Sequence, residues 1–201
     1  MESVLDRVIK QNTENVNLLK TKDYNIFSVL QIQSKEVLIC RMIADLLNPR
    51  GQHGAGAEYL KIFLRDCLGM EKMDTKLADQ AIVTAEYAID DERRIDIVIE
   101  IGSYFLPIEV KIYAADQKSQ CFDYYQYAKR RDAQAKVYYL TLDGHRPGKD
   151  STSSGSQSVP EEDIVCLSFR VHILNWLKAC KSCENTGMVP ILEQFIQNIE
   201  Q

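Results

Sequence analysis

No apolar run in this chain approaches the roughly 20 residues needed to span a bilayer, which argues against a helical membrane protein. The first residues, MESVLDRVIKQ, lack the apolar segment of a secretory signal, so a cytoplasmic location is expected. There is no excess of positive charge. Lys and Arg number 24 against 29 Asp and Glu, a net charge of −5, so affinity for phosphates would have to come from a local basic patch. An acidic balance also suits a site stocked with carboxylates, which stays acidic until a metal binds. A disulfide frame is missing too. Cys40, Cys67, Cys121, Cys166, Cys180 and Cys183 are scattered, mostly in apolar contexts, and read as small core residues in a reducing compartment. Cys180-x-x-Cys183 has no further cysteine downstream and is poor evidence for zinc or a cluster. No internal repeat is visible. The only low-complexity stretch runs from His145 to Asp163, and its Ser, Gly and Pro content predicts a mobile surface loop within one domain.

What remains is enough for a single domain of 201 residues with a real core. Residues 1–70 read as helical, 82–169 as a sheet core and 170–201 as C-terminal helices. A helical pattern covers 3–20, and a short apolar segment runs from Ile26 to Leu30. Ser34 is placed to cap a helix over Lys35 to Leu47, ended by Asn48-Pro49-Arg50-Gly51. In that helix Glu36 has Ile39, Cys40, Ile43 and Leu47 at +3, +4, +7 and +11, which puts its carboxylate on the apolar stripe. Such an acid either favours the helix dipole from an exposed end or needs a partner, and a metal site would be one. His53 follows in a turn, as a turn or capping residue or as a metal ligand, and a second amphipathic helix runs to about Leu68. Residues 71–80 suggest a loop with a helical turn.

Three strands at hairpin spacing come next, Ile82 to Ile89, Ile95 to Ile101 and Tyr104 to Ile112. In the middle one, Ile95, Ile97, Ile99 and Ile101 form one face, with Asp96, Val98 and Glu100 on the other. A two-residue Gly102-Ser103 turn makes paired residue numbers sum to 205. Asp96 and Glu109 satisfy that sum and fall opposite each other in a non-hydrogen-bonded pair. Two facing carboxylates repel unless solvent, a shared proton or a cation relieves them. Lys111 projects from the same face as Glu109. Two acids and an ammonium converging on one spot suit a Mg²⁺ site with a charged group beside it. Pro107 needs no hydrogen bond to the middle strand in this register. A helix from Tyr113 to Asp132, strands over Ala135 to Leu142 and Ile164 to Phe169, and helices over Val171 to Cys183 and Met188 to Ile199 complete the reading. The strand–helix–strand passage predicts a right-handed crossover to a parallel neighbour.

Ile95-Asp96-Ile97 with Ile108-Glu109-Val110-Lys111 resembles the PD-(D/E)xK nuclease superfamily, with Ile95 where the family name has proline. Gln120-x-x-x-Tyr124, after the motif strand, resembles the RecB and lambda-exonuclease branch. The helix–NPRGQHGAG–helix arrangement is similar to a little-characterised branch of the same superfamily. The resemblance implies an α/β fold, a three-layer α/β/α sandwich around a mixed sheet of about five strands. It also implies one or two Mg²⁺ or Mn²⁺ ions on Asp96, Glu109 and the carbonyl of Val110, with Glu36 as a further ligand. Lys111 would orient the attacking water, and Gln120 and Tyr124 would reach a phosphate or orient Lys111. Arg93, Arg94, Lys118, Lys129, Arg130 and Arg131 would flank a DNA cleft through backbone contacts. The implied activity is DNA phosphodiester hydrolysis. The competing reading is a catalytically inactive fold of this type that binds nucleic acid or protein. A homo-oligomer is left open.

Overall fold

The computed structural model describes residues 24–32, 35–71, 73–183 and 186–200. The expected helix over 3–20 and the Ser34 cap lie outside them.

Five strands form one sheet in the order β1-β2-β3-β4-β5: Ile82–Ala88, Arg94–Ile101, Tyr104–Lys111, Val137–Thr141 and Ile164–Ser168. The first three pair antiparallel, while β3, β4 and β5 run parallel. This is the mixed α/β sheet that the sequence suggests. Helices α1 (Glu36–Leu47), α2 (Glu58–Asp66), α4 (Leu174–Cys180) and α5 (Val189–Glu200) bury their apolar faces with Ile97, Ile99, Leu106 and Ile108 in the larger core. Helix α3 (Gln120–Arg131) covers the other face, where Tyr124 and Ala128 meet Val98 and Phe105. Alternating side chains on β2 and β3 therefore feed two cores, which is why both strands are apolar almost throughout.

The β2–β3 register runs from Ile101↔Tyr104 to Ile97↔Ile108, each pair summing to 205. Gly102 supplies the left-handed φ of +56° at the first turn position, the type II′ arrangement that keeps two twisted strands in line. Pro107 sits opposite Val98 in a pair that exchanges no backbone bonds, so its missing N–H faces β4. The β4 ladder begins one residue later, at Ile108↔Tyr138, and no ladder bond is lost.

Several expectations need correction. The Asp96–Glu109 ladder pair does not form, because pairing ends at Ile97↔Ile108. The Asp96 side chain takes the place of backbone and accepts a hydrogen bond from the Val110 amide at 2.7 Å. Ile95 also leaves the face of Ile97 and joins the core on the α3 side, together with Tyr87. The cause lies opposite, where Glu86 adopts φ +54° and the β1–β2 ladder skips from Ala85↔Ile97 to Tyr87↔Ile95. Helix α3 starts at Gln120 and not at Tyr113. Ser119, at φ +58°, precedes it, and the preceding stretch is held by Glu36 and Asp116 instead. The segment 145–163 is not plain loop. It carries a helical turn at Lys149–Thr152, a small hairpin of Ser153–Ser154 with Gln157–Ser158, and a 3₁₀ turn at Glu161–Asp163. Small polar side chains do the packing there. Ser151 is fully buried and its hydroxyl accepts from the Cys121 amide at 3.3 Å, while Ser119 Oγ donates to the Ser153 carbonyl at 2.8 Å.

Candidate active site

Asp96, Glu109 and Lys111 converge where β2 and β3 part. The break in both ladders frees Asp96 to turn toward β3, and the Val110 amide holds one of its oxygens. Val110 N–H and C=O lie on the β2 side of the strand, the same side as those of Ile108 and Leu106. With the ladder ended, the carbonyl faces the site. Glu109 is 1% exposed, and Lys111 Nζ donates to its Oε1. Glu109 Oε2 is buried and, while both acids are ionised, accepts no hydrogen bond from the described residues.

The electrostatics follow from that crowding. Burial pushes the Glu109 carboxyl well above its usual range, the charge on Asp96 adds to this, and Lys111 offsets only part. A proton held on Glu109 is also hydrogen-bonded by Asp96. Asp96 is raised as well, again by burial, although the Val110 amide and Lys111 pull it down. Burial lowers Lys111, but the charge and hydrogen bond of Glu109 outweigh it, so the amine ends above an ordinary lysine and stays an ammonium at neutral pH. The pair therefore lacks positive charge: one ammonium serves two buried acids.

Glu36 stands on the first turn of α1 and reaches across the fold. Its Oε1 accepts from three successive amides, Ile112 at 3.1 Å, Tyr113 at 3.0 Å and Ala114 at 2.9 Å. Its charge adds to the raising of both Asp96 and Lys111. One turn along, the buried Cys40 thiol is pushed up by burial and by Asp96, Glu109 and Glu36 together. Sequence spacing identifies the acid on the core stripe, but not the amide cradle, whose members lie more than 75 residues away.

A divalent cation fits this donor set. Glu109 Oε2 is an orphaned buried carboxylate oxygen, Asp96 keeps one oxygen beyond its amide bond, and the Val110 carbonyl is a third hard donor. Among the described residues no three His, Cys, Asp or Glu side chains stand grouped as a ready metal cage. Two carboxylates with water or phosphate oxygens are the usual holding for Mg²⁺.

The other sequence candidates divide by their partners. Gln120 Nε2 donates to Tyr124 Oη at 3.0 Å, and Tyr124 Oη donates to the Arg94 carbonyl at 2.5 Å. Both side chains are buried and tie α3 to the strand carrying Asp96. Arg93 is engaged by Gln117, the Lys118 carbonyl and Asp123. Lys129 is paired with Asp163, and Arg131 with Glu100. Arg130 lies over the Tyr127 ring. Arg94 and Lys118 are exposed and make no ion pair among the described residues. His53 is a turn residue: Nδ1 accepts from the Ala55 amide, Nε2 bonds the Asn48 carbonyl, and the ring stacks on Tyr59. All six cysteines are free, and four are buried. Sequence reasoning missed Asp116, which accepts from Tyr139 Oη and the Gly148 amide and pins the 145–163 segment beside α3.

No helix among the described residues is long and apolar enough to cross a membrane. No curated protein and no solved structure matches the chain. Residues 24–197 do match a family model, over the whole of the sheet and both its helical layers. That span includes the crowded Asp96–Glu109–Lys111 cluster, and the chain belongs to the PD-(D/E)XK nuclease superfamily.

Proposed function

We propose that this chain is a Mg²⁺- or Mn²⁺-dependent deoxyribonuclease that hydrolyses phosphodiester bonds at Asp96, Glu109 and Lys111. The observation that carries the reading is the buried Oε2 of Glu109, which accepts no hydrogen bond when both acids are ionised, beside a second acid that shares a single ammonium with it. When bound, a divalent cation supplies Lewis acidity, making the attacking water more acidic and drawing charge from the phosphodiester. Asp96 and Glu109 supply the anionic oxygens. Lys111, held as an ammonium, donates a hydrogen bond to the water or to a phosphoryl oxygen on which negative charge develops; it is not the base in the metal-free protein. Glu36 fixes the end of β3 through Oε1, and its second oxygen, outside those three bonds, serves as the further ligand directly or through water. Gln120 and Tyr124 act as positioning residues, and their place on the helix after β3 supports kinship with the RecB and lambda-exonuclease branch. Arg94 and Lys118 are the cations available to a DNA backbone.

The test is cleavage of linear, circular, single- and double-stranded DNA with Mg²⁺, Mn²⁺ or EDTA. Cutting should require the cation and fall at least ~10²-fold in Asp96→Asn and Lys111→Ala. Full activity of Lys111→Ala would remove its role. Failure to cut any substrate would leave the binding-only fold.

A further inference from the structure

Ile112, one residue past Lys111, lines a small cavity of about 150 Å³ on the larger-core side of the sheet, which the reading above does not use. It opens at the carboxyl ends of the three parallel strands: Ile112 follows β3, Leu142 follows β4 and Phe169 follows β5. Crevices at that end of parallel strands are where ligands settle in α/β sheets. The floor is apolar, built from Leu142, Phe169 and Phe195, and the last is stiffened by stacking on Phe27 at 5.1 Å. The rim is polar and of three kinds: Tyr113, Arg170 and Asn198. Tyr113 is 67% exposed, yet its amide is fixed by Glu36 at 3.0 Å. Arg170 has its amide pinned to the Leu142 carbonyl at 3.2 Å, and its exposed side chain makes no ion pair among the described residues.

The geometry points to a nucleobase subsite: the cavity takes one base of a single-stranded DNA whose phosphodiester lies at Lys111, the strand passing around the end of β3. This deepens the nuclease reading and rests on it. The volume decides the occupant, since clefts for drug-sized ligands are roughly 300–1,000 Å³. A half-open space of about 150 Å³ suits one ring system, with its sugar and phosphate left outside. An exposed ring on a fixed backbone is a stacking platform, Asn198 offers both donor and acceptor to a base edge, and Arg170 offers a charge to the next phosphate. A base still in a duplex cannot enter, so the cut strand is unpaired at this point.

The test is fluorescence anisotropy in a Lys111→Ala background with Mg²⁺. A labelled single-stranded DNA oligonucleotide is compared with the same strand made abasic and with a duplex. Tyr113→Ala should weaken binding of the intact single strand by about 5- to 150-fold and leave the abasic strand unchanged. Tyr113→Phe should bind like tyrosine. A merely structural role for Tyr113 would weaken both strands equally, and that result overturns the subsite. Equal binding of the intact strand by Tyr113→Ala also overturns it, while leaving metal-dependent cleavage intact. Tighter binding of duplex than of single strand overturns the assignment of substrate. If the parent binds no DNA and wild type cuts none, the nuclease reading falls and the subsite with it.

Discussion

Stability of the metal-free protein should fall as pH rises through a window that opens above the ordinary carboxylate range, and a divalent cation should cancel the fall. The Glu109 carboxyl lies well above its ordinary 4.5 and Asp96 lies above 3.8, both through burial first. A carboxyl raised in this way keeps its proton in the folded chain after the unfolded chain has released it. Its contribution is complete below the unfolded value and is lost as pH climbs to the folded one. One retained proton corresponds to about 1.4 kcal/mol for each pH unit of that window. For a chain of this length that is about 3–6 °C in Tm per pH unit. Asp66, Asp143 and Asp163 are depressed, and their effects are complete near the ordinary aspartate value, below this window. Lys111 is raised, so its contribution is lost only above 10.5. Mn²⁺ at 100 times its Kd restores about 2.7 kcal/mol by binding the ionised pair. Thermal melts of wild type and Glu109→Gln across the window, with and without Mn²⁺, isolate the effect. Parallel wild-type and Glu109→Gln profiles, or an equal Mn²⁺ shift in both, would refute this protonation scheme and the cation site built on it.

Two further substitutions probe the scaffold. Tyr124→Phe removes the bond to the Arg94 carbonyl and should cost about 0.5–1.5 kcal/mol in a denaturant melt while leaving most cleavage; a loss of cleavage with unchanged stability would instead make the hydroxyl a substrate contact. Gly51→Ala places a Cβ 2.2 Å from the Asp45 carbonyl oxygen and 2.6 Å from the His53 ring. It should destabilise by about 1–3 kcal/mol, read as a lower denaturation midpoint at unchanged slope.

The hairpin was legible in the sequence because its information is local. Gly102 fixes the turn, the turn fixes the register, and alternation sorts the faces from Ile101 back to Ile97. The acids converge as that register suggests, but by another route. Asp96 meets Glu109 by replacing backbone at the Val110 amide, an option that a ladder count does not contain. Ile95 was misplaced for a related reason: nothing in the residue type of Glu86 announces a left-handed φ. The start of α3 was misjudged because 112–114 donate their amides to Glu36, a tertiary contact that overrides helical propensity. The 145–163 segment looked unable to fold because its composition lacks apolar residues. It folds around Ser151 and Val159, buried against the rest of the chain.

One oxygen of Glu36 collects three neighbouring amides, so the first helix and the exit from the motif strand cannot slide past one another without releasing all three together. Tyr113, whose ring borders the cavity, and the helix that carries Cys40 are thereby moored to the same carboxylate.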